Sequence, residues 1–131
     1  MMNTKKKSVI RKKNNSLKAS EHQIQCAYFD WFRNKHPDLL AWAIPNGGLR
    51  MIATAARLKA EGVMAGVPDV FVAVAHAESH GLFLEFKSAK GTVRPTQKIM
   101  MERLRAAGYC CVVVNSIDSA IDATNAYLTR I

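Results

Sequence analysis

Asp69, Glu85 and Lys87 are the residues whose types and spacing can do chemistry together. Asp69 precedes an apolar run from Val70 to Ala75; the polar stretch His76 to Gly81 follows, and a second apolar run, Leu82 to Leu84, ends in Glu85, Phe86 and Lys87. Two apolar runs joined by a polar connection containing Ser79 and Gly81 predict a β-hairpin. With its turn centred near Glu78, Val72 faces Leu84, Phe71 faces Glu85 and Asp69 faces Lys87. Side chains alternate between the two faces of a strand, so Asp69, Glu85 and Lys87 are expected on one face at the open end of the hairpin. Two carboxylates there are hard oxygen ligands suited to Mg2+ or Mn2+, and the backbone carbonyl of Phe86 could add a further oxygen. An ion so held can activate water and stabilise charge on a phosphodiester under attack, while Lys87 orients that water or neutralises the transition state.

The order Pro68-Asp69, hairpin, Glu85-Phe86-Lys87 resembles the PD-(D/E)xK nuclease superfamily. More narrowly, Glu21 with Gln25, the Asn46-Gly47-Gly48 turn, Gly66 to Asp69, Glu85 to Ser88, and Gln97 make the chain similar to VRR-NUC domains, the virus-type replication-repair nucleases. The resemblance runs from about Glu21 to the C-terminus. It implies a restriction-endonuclease-like α/β core and a metal-dependent nuclease that hydrolyses DNA with Mg2+ or Mn2+. Asp69 and Glu85 would then bind metal, Lys87 would assist the chemistry, and Gln97 would point toward the site. Glu21 would be a third metal ligand or would hold a water on the metal; read from the residues alone, it is a capping charge. Stand-alone domains of this kind form homodimers, favour branched DNA such as Holliday junctions, and occur in phage and mobile elements. The same is therefore expected here.

Several elements must position these residues. Ser20 has capping-box spacing to Gln23 and opens a helix in which Ile24, Tyr28, Phe29, Trp31 and Phe32 recur at helical spacing until Pro37. Leu39 to Ile44 predicts a first strand, ended by Pro45. Asn46, Gly47 and Gly48 form a tight turn whose amides could approach a phosphate. Met51 to Ala60 predicts a helix ended by Gly62, with Arg50, Arg57 and Lys59 either contacting a nucleic-acid backbone or forming a solvated face. After the hairpin, the polar loop Ser88 to Arg94 offers Lys90 and Arg94 to nucleic acid. Pro95 suits the first position of a helix through Ile99, Met100 and Leu104 to Gly108, with Gln97 on its first turn. Tyr109 to Val114 predicts a strand interior to the sheet, and Asn115 to Asp118 cap a last helix through Ile121 and Tyr127. This order gives an α/β sandwich: a mixed central sheet flanked by helices, in which Ser88 to Val114 forms a crossover.

A chain of 131 residues, 49% hydrophobic, supports one folded domain, expected over residues 20–131. No apolar run reaches membrane-spanning length, and the basic N-terminus has no apolar segment of the secretory kind, so a cytoplasmic protein is expected. Cys26, Cys110 and Cys111 fit no paired framework, which suits a reducing compartment. The net charge of +9 is concentrated at the start, where Lys5, Lys6, Lys7, Arg11, Lys12, Lys13 and Lys18 stand without an acid. Residues 1–19 read as a flexible basic arm that tracks DNA, or as a solubilising leader. His76, Glu78 and His80 have zinc-like spacing but sit in the hairpin turn without partnering cysteines, and are set aside. A non-catalytic nucleic-acid-binding module is the other functional class the basic arm permits. Two carboxylates facing a polyanion argue against it, because they repel phosphate unless a cation intervenes.

Overall fold

The computed structural model describes residues 19–45 and 52–130. Eight elements follow one another: α1 (Glu21–Lys35), β1 (Ala41–Ala43), α2 (Ile52–Ala60), β2 (Val70–Val72), β3 (Leu82–Phe86), α3 (Pro95–Ala106), β4 (Cys110–Val114) and α4 (Ile117–Leu128). The strands lie side by side as β1-β2-β3-β4, antiparallel except for the parallel β3/β4 pair that α3 connects. Fold class and crossover are as the sequence implies.

Local chemistry explains the helix ends. Ser20 Oγ accepts from Gln23 N–H while Gln23 Oε1 accepts from Ser20 N–H, so α1 starts with a closed capping box. Ser116 caps α4, its Oγ accepting from Ser119 N–H at 3.0 Å. Pro95 opens α3, where its missing N–H removes nothing the helix needs.

Strand alternation divides the sheet into two faces. Val70, Val72, Leu82, Leu84, Phe86 and Val114 point to one side and are buried against Ile24, Tyr28, Phe29 and Phe32 of α1 and Ala120 and Tyr127 of α4. Within this core the Tyr28 hydroxyl donates to Thr124 Oγ1 at 2.8 Å, and Thr124 in turn donates to the Ala120 carbonyl, so a buried polar pair is fully satisfied. The opposite face carries an aromatic row, Trp42, Phe71, Phe83 and Tyr109, with successive ring centroids 5.4, 4.7 and 5.4 Å apart. Among the described residues α2 packs closely against no other element. No described helix is long and apolar enough to cross a membrane.

Two expectations need correction. The hairpin register is shifted by two: Val70 pairs with Leu84, Phe71 with Phe83 and Val72 with Leu82. A shift of two keeps every side chain on its expected face, so the site residues stay together. The cause is the connection, where His76 and Ser79 form their own bridge and Ser79 Oγ binds the Gly81 carbonyl and the Cys110 amide. Second, β4 lies at the sheet edge among the described strands, not inside it, and Val113 is 39% exposed. Its apolar side chains are covered from the faces by α3 and α4 rather than by a further strand. The helix expected through Ile99, Met100 and Leu104 is α3, which turns Met100 and Met101 inward and leaves Ile99 exposed. Of the aromatic residues of α1 and β1, Phe32 is core and Trp31 packs against the core, whereas Trp42 stays exposed.

Candidate active site

Asp69 immediately precedes β2 and Glu85 lies near the end of β3. Extending the Val70/Leu84 pairing by one residue sets Asp69 opposite Glu85, rather than opposite Lys87. Opposed side chains on one face of an antiparallel pair have Cβ atoms about 4.5–5.5 Å apart, and like charges so placed repel. The Phe86 N–H donates to Asp69 Oδ2 at 2.8 Å. In an extended strand a residue's N–H and C=O leave on the same flank, so the Phe86 carbonyl also looks toward the Asp69 strand.

Glu85 is only 2% exposed. Its Oε1 accepts from Gln97 Nε2 at 2.8 Å and faces Lys87 Nζ at 3.2 Å. Its Oε2 is buried without a hydrogen-bond partner among the described residues. Gln97 spends both ends of its amide, since its Oε1 accepts from the Arg94 N–H at 2.9 Å. The first turn of α3 is thereby tied to β3 at the acid itself.

Electrostatics follow from this placement. Burial pushes the Glu85 carboxyl up to about 7, and the neighbouring Asp69 charge adds to the rise against the opposing effect of Lys87. Burial also raises Asp69, Glu21 adding to it, while the Phe86 amide and Lys87 pull the other way. A carboxylate pair in which Glu85 is buried and Asp69 half-buried, with an oxygen unpartnered among the described residues, is an electrostatic deficit that a cation would fill.

Asp69, Glu85, Lys87 and Gln97 line a cavity of about 1220 Å3 together with Glu21 of α1, Arg94, part of α2 and the loop from Gly62 to Val67. Seven residues singled out from the sequence for their side chains, Glu21, Lys59, Asp69, Glu85, Lys87, Arg94 and Gln97, therefore line one cavity. Among the described residues no three His, Cys, Asp or Glu side chains come close enough to hold a metal by themselves. Glu21 thus acts on the carboxylate pair through its charge and does not complete a three-ligand cluster in this geometry. Lys90 is exposed on the β3–α3 loop and is not part of the cavity lining. Asn46, Gly47, Gly48, Arg50 and Met51, like the arm residues Lys5, Lys6, Lys7, Arg11, Lys12 and Lys13, lie outside the described residues. The His76, Glu78 and His80 spacing produces no metal cluster: His76 Nδ1 accepts from the Glu78 N–H and Glu78 pairs with Arg130. Leu58, Val63, Met64 and Thr96 also line the cavity and were not singled out from the sequence. Gly62 and Gly66, which bracket Val63 and Met64, are the signal that could have found them.

A mixed sheet flanked by helices, with an Asp…Glu-x-Lys constellation at its open end, defines an α/β nuclease core. The chain belongs to the VRR-NUC domain family, whose model matches residues 5–118. A solved VRR_NUC domain protein superimposes with a TM-score of 0.73 at 27% identity, covering 87% of this chain and 92% of that one. A second, a VRR_NUC domain, shares the fold with a TM-score of 0.57 at 21% identity, over 83% of this chain and 99% of that one. Comparison with curated proteins gives no match.

Proposed function

We propose that this protein is a metal-dependent nuclease that hydrolyses DNA phosphodiester bonds, a structure-selective endonuclease acting on branched DNA such as Holliday junctions in phage or mobile-element DNA processing. The observation that carries the reading is the opposed carboxylate pair of half-buried Asp69 and buried Glu85 beside Lys87, with Glu85 Oε2 lacking a hydrogen-bond partner among the described residues. Hard oxygens in this state suit Mg2+ or Mn2+. Asp69 and Glu85 would hold the ion and the Phe86 carbonyl would add an oxygen.

When bound, the ion supplies charge stabilisation at the phosphoryl group and lowers the pKa of water. The chain's own residues do the rest. Gln97 and Lys87 both occupy Glu85 Oε1, which fixes the rotamer and leaves Oε2 available as a ligand. The Lys87 ammonium offers a donor for charge developing on the phosphate. Glu21, exposed on the cavity wall, would accept a hydrogen bond from attacking water. Arg94 and Lys59 bring positive charge to the cavity for the flanking phosphates, and the basic arm adds salt-sensitive affinity.

Cleavage of labelled branched DNA in Mg2+, Mn2+ or EDTA, beside a binding measurement, tests the reading. Wild type is expected to cut only with metal. Asp69→Asn and Glu85→Gln are expected to bind DNA without cutting it, and Lys87→Ala to lose about 10²-fold or more in turnover, the scale of one transition-state donor. Robust metal-dependent turnover by Asp69→Asn or Glu85→Gln overturns the assignment.

A further inference from the structure

The loop between α2 and β2 is fixed at both ends. α2 closes with the Val63 N–H on the Leu58 carbonyl at 2.9 Å and the Gly62 N–H on the Lys59 carbonyl at 3.1 Å, with Gly62 at φ +100. This is a Schellman ending, which needs a residue free to take positive φ. Four residues on, Gly66 has φ +84 and sits so near the first turn of α3 that a Cβ would meet the Thr96 carbonyl oxygen at 2.7 Å. Between these anchors two large apolar side chains are left in solvent, Val63 at 41% and Met64 at 52% exposure. Both stand on the wall of the cavity that holds Asp69 and Glu85, with Leu58 beside them and the cations Lys59 and Arg94 on the same wall.

A phosphodiester alone does not account for that apolar wall. Phosphate and sugar are gripped by cations, hydroxyls and amides. Apolar side chains at a nucleic-acid site contact base faces, either as a platform or as a wedge that unstacks a step. Room is sufficient, since about 1220 Å3 exceeds the range of roughly 300–1,000 Å3 typical of pockets for whole small ligands. A base inside continuous duplex is stacked and paired and must be drawn out before it can reach such a wall; at a flap or a frayed end it is already free, and at a branch point, where stacking is interrupted, it is drawn out at lower cost.

The geometry points to a base platform: Val63 and Met64 receive one unstacked nucleobase next to the phosphate that lies on Asp69 and Glu85. The site therefore selects DNA with an unpaired nucleotide beside the cut over continuous duplex. Met64 supplies an adaptable apolar surface, which accepts any base rather than reading one. This inference rests on the nuclease reading for the identity of the ligand, and it makes the loop from Gly62 to Gly66 the element that sets substrate class.

A cycle between side chain and base tests it. Full-length wild type, the Val63→Ser/Met64→Ser double variant and Met64→Leu are compared on a labelled flapped duplex. A series of the same duplex carries one abasic residue at successive positions across the branch. Affinity is read by anisotropy in Ca2+ and cutting by gel in Mg2+. The double variant is expected to lose about tenfold on the intact substrate, on the scale of one base contact, and Met64→Leu to keep most of the affinity. At one abasic position wild type should fall to the level of the double variant, which loses nothing further there. An equal loss at every abasic position, or no loss at all, overturns the platform. Coupling in binding without cutting in any metal sinks the nuclease reading and leaves the platform standing; cutting without coupling does the reverse. Absence of DNA binding by wild type overturns both.

Discussion

Glu85 carries an energetic cost in the metal-free fold. Its carboxyl is raised by burial and by Asp69 from 4.5 to about 7. Between those values the folded protein keeps a proton that the unfolded chain has released, so the stabilising contribution is full below pH 4.5 and is lost as pH rises through 7. Asp69, also raised by burial, acts in the same direction. Each tenfold change in proton affinity is worth about 1.4 kcal/mol, so urea unfolding in EDTA should show stability falling by on the order of 2–3 kcal/mol between about pH 4.5 and 8. Glu85→Gln should remove most of that slope and be more stable than wild type at about pH 8, and saturating Mg2+ should recover wild-type stability. A metal-free wild type that grows more stable across this window would contradict the burial of the pair. Side-chain type and strand parity made Asp69, Glu85 and Lys87 legible in the sequence, because alternation survives a register error of two. The partnerless Glu85 Oε2 and the Phe86 amide on Asp69 were not legible. Both depend on which residues face each other across the hairpin, and the Ser79 connection sets that.

Two glycines of similar backbone conformation separate the roles of elements from those of residues. Gly62 ends α2 at φ +100 with nothing within 4 Å of the place a Cβ would occupy; Gly66 has φ +84 and the Thr96 carbonyl at 2.7 Å. Alanine at either position meets the cost of a left-handed conformation, about 1–2 kcal/mol. Only at Gly66 must backbone also move, adding about 1–3 kcal/mol of overpacking. The displaced turn carries Gln97, whose amide holds Glu85, so Gly66→Ala should lower Mg2+-dependent turnover as well as stability. Gly62→Ala should lower stability and leave single-turnover cutting at saturating DNA closer to wild type than Gly66→Ala does. Thermal melts and single-turnover rates on both variants decide this, and equal turnover in the two would show that the contact between this loop and α3 does not position the acid. The Ser20 box, Pro95 and Gly62 were readable because each acts within one turn of chain. The edge position of β4 was not: an apolar, β-branched run looks the same whether strands or helices cover it, and here α3 and α4 do so.

At the scale of the molecule, the described residues present one such carboxylate site, so under the proposed function one engagement would cut one strand. Paired cuts across a four-way junction need two sites related by a two-fold axis, which a C2 homodimer supplies. The aromatic face of the sheet offers an area for such a contact. Trp42 on the edge strand β1 is 48% exposed and Leu40 just before it 67% exposed, and Trp42 leads into Phe71, Phe83 and Tyr109. A row of this kind, beginning on the strand that lies at the sheet edge among the described strands, is costly to leave in water and suits a self-complementary surface. We therefore expect light scattering to give a dimer at micromolar concentration, and a four-way junction to be cut by paired incisions in preference to linear duplex. Trp42→Glu should yield monomers that still nick a flapped strand with Mg2+ but no longer pair their cuts, because the substitution lies outside the cavity of Asp69 and Glu85. A monomeric wild type with equal rates on junction and duplex would refute both assembly and substrate preference. A monomeric Trp42→Glu that still pairs its incisions would show that one chain can serve both strands in turn.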